Sequence, residues 1–143
     1  METKKSILRG LATISLFADN LQEAKKWYTE FLGIEPYYAF PNAENPAYIE
    51  YRLGDYEHEL GLIDKKYQPK QASEKPGGVV AFWQVDDLKG TFENLLSLGA
   101  KEYEKITERE DGFITASVID PFGNILGIMH NPHYLKILTS LKK

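Results

Sequence analysis

With 143 residues, 43% of them hydrophobic, and a net charge of −4 from 17 basic and 21 acidic side chains, the sequence has the profile of one globular domain. No apolar run reaches the ~20 residues that cross a bilayer, and the acidic balance disfavours a nucleic-acid partner. The absence of cysteine removes disulfides, thiolate nucleophiles and cysteine-bound zinc.

The opening METKKSILRG is basic but leads into no apolar signal core, which gives the expectation of a cytoplasmic protein. LATISLFA (11–18) is rich in β-branched and aromatic residues and predicts a strand, with Ile14 and Leu16 on one face and Thr13, Ser15 and Phe17 on the other. Asp19 or Asn20 caps the following helix, LQEAKKWYTEFLG, in which Leu21, Ala24, Trp27, Tyr28 and Phe31 recur at helical spacing before Gly33 ends it. Three strands follow, IEPYYAF (34–40), AYIEYRL (47–53) and HELGLID (58–64), separated by the turn-forming PNAENP and GDYE. Residues 8–64 thus predict a βαβββ unit.

The polar, proline- and glycine-containing stretch 65–77 predicts a linker. The pattern then restarts over 78–131: strand VVAFWQV, capped helix DDLKGTFENLLSLGA, and strands KEYEKITE, GFITASVI and NILGIMH. Asp19-Asn20-Leu21 recurs as Asp86-Asp87-Leu88, Leu32-Gly33 as Leu98-Gly99, and Leu60-Gly61 as Leu126-Gly127. This nearly constant offset marks an internal repeat. The tail, 132–143, predicts a short amphipathic helix suited to packing or association.

Two βαβββ modules, the helix LQEAKKWYTEFLG and the turn DPFGN resemble the vicinal oxygen chelate superfamily, also called the glyoxalase/bleomycin resistance/dioxygenase family. The resemblance covers nearly the whole chain. It implies an α+β fold in which two βαβββ modules pair into curved mixed sheets around a cleft, with helices outside, and it implies a homodimer. In the family's enzymes a divalent metal is held by His, Gln or Glu from the first and last strands of each module. Carried onto this sequence, those positions are Thr13 and Gly61 in the first module and Val80 and Gly127 in the second. A hydroxyl, an isopropyl group and two hydrogens do not satisfy such an ion, so no metal and no cofactor is expected. A glycine inside a strand also serves as a bulge in a curved sheet, and both roles are compatible.

The histidines supply no replacement site. His130 and His133 are separated by Pro132, and no HxxxH or HExxH pattern occurs. Neither a G-x-S-x-G elbow, a P-loop nor a dinucleotide fingerprint is present. Strand alternation instead nominates a lining of aromatic walls with a few convergent polar groups, the composition of a small-molecule pocket. Its candidate ligand-binding residues are Thr13, Phe17, Tyr48, Glu50, Glu59, Phe82, Gln84, Phe113 and Met129. Ser15, Arg52, Thr115, Ser117 and Ile125 share the inward faces. The expected function is metal-independent binding of a small aromatic or planar molecule in the cleft between the modules, similar to antibiotic-sequestering resistance proteins. The alternative is a glyoxalase- or dioxygenase-type enzyme of the same superfamily, using Glu50 or Glu59 as a general base.

Overall fold

The computed structural model describes residues 6–72 and 74–141. Asn20 Oδ1 accepts the Glu23 amide at 3.1 Å and starts α1 (Leu21–Leu32), which ends at Gly33 in the left-handed region at φ 74°. Leu21, Ala24, Trp27 and Tyr28 form its buried stripe. Asp87 caps α2 (Leu88–Ser97) in the same way through the Gly90 amide, at 3.0 Å. Each helix connects two parallel strands of one sheet, as a βαβ crossover does.

The first sheet has the order β1-β4-β3-β2, comprising β1 (Thr13–Ala18), β2 (Tyr38–Phe40), β3 (Tyr48–Leu53) and β4 (His58–Asp64). The second repeats it as β5-β8-β7-β6, comprising β5 (Phe82–Gln84), β6 (Lys101–Glu108), β7 (Ile114–Ile119) and β8 (Ile125–His130). In each, the first strand runs parallel to the last and the remaining pairs are antiparallel. The repeat read from the sequence is therefore a repeat of topology. α3 (Pro132–Leu141) occupies the predicted tail helix, and Lys142 and Lys143 lie outside the described residues.

The second and fifth strands depart most from their sequence patterns. β2 begins at Tyr38 because Pro36 has no amide to donate, and the Tyr37 amide makes the last bond, to the Glu50 carbonyl at 3.0 Å. β5 has three residues rather than seven, and Val79 ahead of it is 94% exposed. The linker holds one short 3-10 turn, Lys65–Tyr67.

The core is continuous across both modules. Ile49, Tyr51, Leu60 and Leu62 of the first sheet and Ala116, Val118, Leu126 and Ile128 of the second are buried on the helix side, with Tyr28 and Leu95 from the two helices. The register of β3 is thereby fixed, because Ile49, Tyr51 and Leu53 are buried on the helix side and Tyr48, Glu50 and Arg52 take the opposite face.

Among the described residues, polar ties join the modules at three places. Trp27 donates its indole N–H to the Leu98 carbonyl at 2.7 Å, and the Tyr28 hydroxyl donates to buried Asp120. Asn124 pairs with the Phe17 backbone in both directions, at 3.0 and 3.4 Å. The DPFGN turn is thus a structural joint. Asp120 Oδ1 accepts the Phe122 and Asn124 amides, and Asn124 reaches across to β1.

Candidate functional site

The open face of the first sheet is built by alternation. Pairing sets Thr13 of β1 beside Glu59 of β4, Glu59 beside Arg52 of β3, and Glu50 beside Gly61. Thr13 donates its hydroxyl to Glu59 at 2.8 Å. Tyr37, just ahead of β2, donates to both Glu50 and Glu59, the latter at 2.7 Å, and Tyr48 donates to Glu50. Arg52 completes the group: its guanidinium lies 4.4 Å from the Tyr37 ring centre and 3.6 Å from the Glu59 carboxylate.

The two carboxylates respond in opposite directions. Glu50 is only 7% exposed; burial above all, then the bond to Glu59 and the charge it carries, raise its pKa to about 7 against the pull of Arg52. Glu59 is lowered, chiefly by its bond with Glu50 and then by the Thr13 hydroxyl and Arg52. Near pH 7 Glu50 therefore passes between its protonated and ionised forms beside Glu59, with the Tyr37 and Tyr48 hydroxyls against the pair. Sequence reasoning placed Glu50, Glu59, Tyr48 and Thr13 on this face but missed Tyr37, whose only sequence signal is its adjacency to Tyr38 in IEPYYAF.

A side chain on Gly61 or Gly127 would meet close neighbours. A Cβ on Gly61 would stand 2.7 Å from Cε1 and the hydroxyl of Tyr48. On Gly127 it would stand 2.7 Å from the Ala81 carbonyl oxygen and from Cδ1 of Phe82. Each module therefore lays an aromatic ring over the glycine of its last strand.

In the second module the open side of the sheet contributes to a cavity of about 220 Å³ lined by Phe82, Gln84 and Met129 together with Leu11, His58 and Tyr134. Gln84 is committed to structure: its Oε1 accepts the Asn131 amide at 2.7 Å and its Nε2 donates to the Val85 carbonyl at 2.9 Å. Phe113 packs edge-on against His133 of α3, with ring centres 5.0 Å apart. Phe17 is held through its backbone by Asn124. The predicted residues thus fall into two groups: Thr13, Tyr48, Glu50 and Glu59 in one network, and Phe82, Gln84 and Met129 around one cavity. Phe113 and Phe17 belong to neither. Ser117, cross-strand from Gly127, is fully buried and its hydroxyl has no hydrogen-bond partner among the described residues.

The matched family model is the Glyoxalase/Bleomycin resistance protein/Dioxygenase superfamily, over residues 10–128. The chain belongs to this superfamily. No curated protein matches it in sequence. Among solved structures it is similar to a glyoxalase-related enzyme from Fulvimarina pelagi, at 22% identity and TM-score 0.68 over 87% of this chain and 90% of that one. A lactoylglutathione lyase from Agrobacterium tumefaciens matches at 18% identity and TM-score 0.65, over 88% and 96% of the two chains. TioX from Micromonospora sp. ML1 matches at 15% and 0.63, over 85% and 98%. At these identities the likeness is one of fold.

The superfamily's metal chemistry can be tested against the residues present. Thr13, whose hydroxyl is engaged by Glu59, stands on β1, and Val80, expected on the matching strand, lies ahead of β5; Gly61 and Gly127 stand on the last strands. Among the described residues no three His, Cys, Asp or Glu side chains are grouped as metal ligands. The donor set does not fit a divalent ion.

Proposed function

We propose that this member of the superfamily binds a small aromatic or planar molecule on the open faces of its sheets without a metal. The observation that carries this reading is the pair of rings over Gly61 and Gly127. The space that a metal-binding side chain would need at each last strand is filled by Tyr48 or Phe82, which offers a flat apolar surface for stacking. Tyr37, Tyr38 and Phe40 extend the aromatic surface of the first module and are 49%, 46% and 57% exposed. The Glu50–Glu59 pair supplies polar orientation beside it. The same exposed rings support a homodimer, since an aromatic edge of this kind favours self-association. Sedimentation at increasing concentration tests that part.

A second reading rests on Glu50. A carboxyl group that titrates at about 7, bonded to two tyrosine hydroxyls, is suited to acting as a metal-free general base in an enzyme of the superfamily. The two readings separate on whether a bound compound is recovered unchanged.

The binding reading is tested by thermal unfolding against a library of planar aromatic compounds. A compound at 100 times its dissociation constant should add about 2.7 kcal/mol of stability. Tyr48→Ala or Phe82→Ala should remove the shift. A library without any hit would refute the reading.

A further inference from the structure

A second cavity lies behind the sheets, on the side opposite the carboxylate pair and the two ring-covered glycines. It measures about 300 Å³ and sits where the modules meet, walled by Phe31 and Leu32 of α1, Leu60 of β4, Trp83 of β5, and Leu126 and Ile128 of β8. Ile34, 41% exposed, stands at its rim and marks a way in from solvent.

Its chemistry differs from that of the open faces. Among the described residues no charged side chain lines it. Of the polar side chains in the wall, the Tyr28 hydroxyl donates to Asp120, and the Gln84 amide already bonds Asn131 and Val85. An apolar cavity of ~150 Å³ stays dry and takes up benzene, so one about twice that size accommodates a two-ring molecule. A charged group carried into such a wall would lose its hydration without finding a partner.

We propose that this inter-module cavity is a second binding site, selective for a neutral two-ring aromatic molecule. None of its wall residues belongs to the Glu50–Glu59 network, while Leu53, Gly54, Trp83 and Gln84 form a wall shared with the cavity around Phe82 and Met129. Its position across the junction means that a bound molecule would touch α1 of one module and β8 of the other, and so brace them against each other.

The test uses 1-naphthol and its charged counterpart 1-naphthalenesulfonate with the full chain. Methyl-resolved NMR should show intermolecular contacts from 1-naphthol to Leu60 and Ile128. The sulfonate should bind at least about tenfold more weakly, since its charge meets no partner. Leu126→Phe, which takes up part of the cavity, should weaken 1-naphthol binding by about tenfold or more, because the added ring occupies the space the ligand needs. If that variant fails to fold, Ile34→Trp at the exposed rim should produce the same loss. Contacts only to Met129 and Phe82 would place the molecule on the open face and overturn the proposal while leaving the open-face reading intact. No contact at all, or unchanged affinity in a folded cavity-filled variant, would overturn it equally.

Discussion

At the scale of single residues, the two glycines under aromatic rings differ in what they would strike. The Cβ of Gly127→Ala meets a backbone oxygen at 2.7 Å, that of Ala81, to which the Gly127 amide also donates at 3.0 Å. Backbone cannot step aside, so this variant should lose about 1–3 kcal/mol of stability in urea unfolding. The three nearest atoms to the Cβ of Gly61→Ala all belong to the Tyr48 side chain, which can rotate at the cost of its bond to Glu50. The Gly61→Ala loss should therefore be smaller, and should vanish when Tyr48 is already alanine; a double-mutant cycle measures this coupling. Glu50 makes a second prediction. Its folded pKa, about 7, lies above the ordinary value of 4.5, so the folded protein holds more protons than the unfolded chain between those limits. Stability should fall as pH rises through that window, with the loss complete above about 7. Glu59, shifted downward, contributes stability above its unfolded pKa that is lost only in more acidic solution. Urea midpoints across pH 5–7 should slope downward in the native protein and flatten in Glu50→Gln. An equal slope in both would show that Glu50 ionises normally.

At the scale of elements, the joint between α1 and the DPFGN turn decides how the modules sit. Asp120 is 3% exposed and accepts from the Tyr28 hydroxyl, two backbone amides and the Asn124 side chain. Tyr28→Phe removes one donor from a buried carboxylate and should cost about 1–3 kcal/mol, measured by chemical denaturation. Asn124→Ala should loosen the same joint by releasing β1. The DPFGN turn was legible in the sequence as a turn, but its bond to Tyr28, 92 residues away along the chain, was not. Periodicity reports which face of a helix is buried, and not which buried tyrosine finds a carboxylate. The same limit explains β5: VVAFWQV reads as a seven-residue strand, yet its bonds to β8 reach only from Ala81 to Val85, and the ladder holds Phe82–Gln84.

At the scale of the whole molecule, the repeat and the topology were legible because cap, helix end and last strand each recur at nearly the same offset. The alternation of β3 also puts Glu50 on the open face. What the sequence left unresolved was the grouping of the site. Thr13, Tyr48, Glu50 and Glu59 are drawn into one network by Tyr37, a residue in the loop before β2 with no periodic signal of its own. Phe82 and Met129 are joined around another cavity by residues from distant loops and from α3, which local pattern cannot assign.

The central claim is that aromatic rings have replaced metal ligands on both last strands, and metal content tests it most directly. Elemental analysis of protein purified without chelator should find no stoichiometric zinc, iron, manganese or nickel, because neither Thr13 and Gly61 nor Val80 and Gly127 supply a donor set for a divalent ion. One tightly held equivalent of any of these metals would contradict the account.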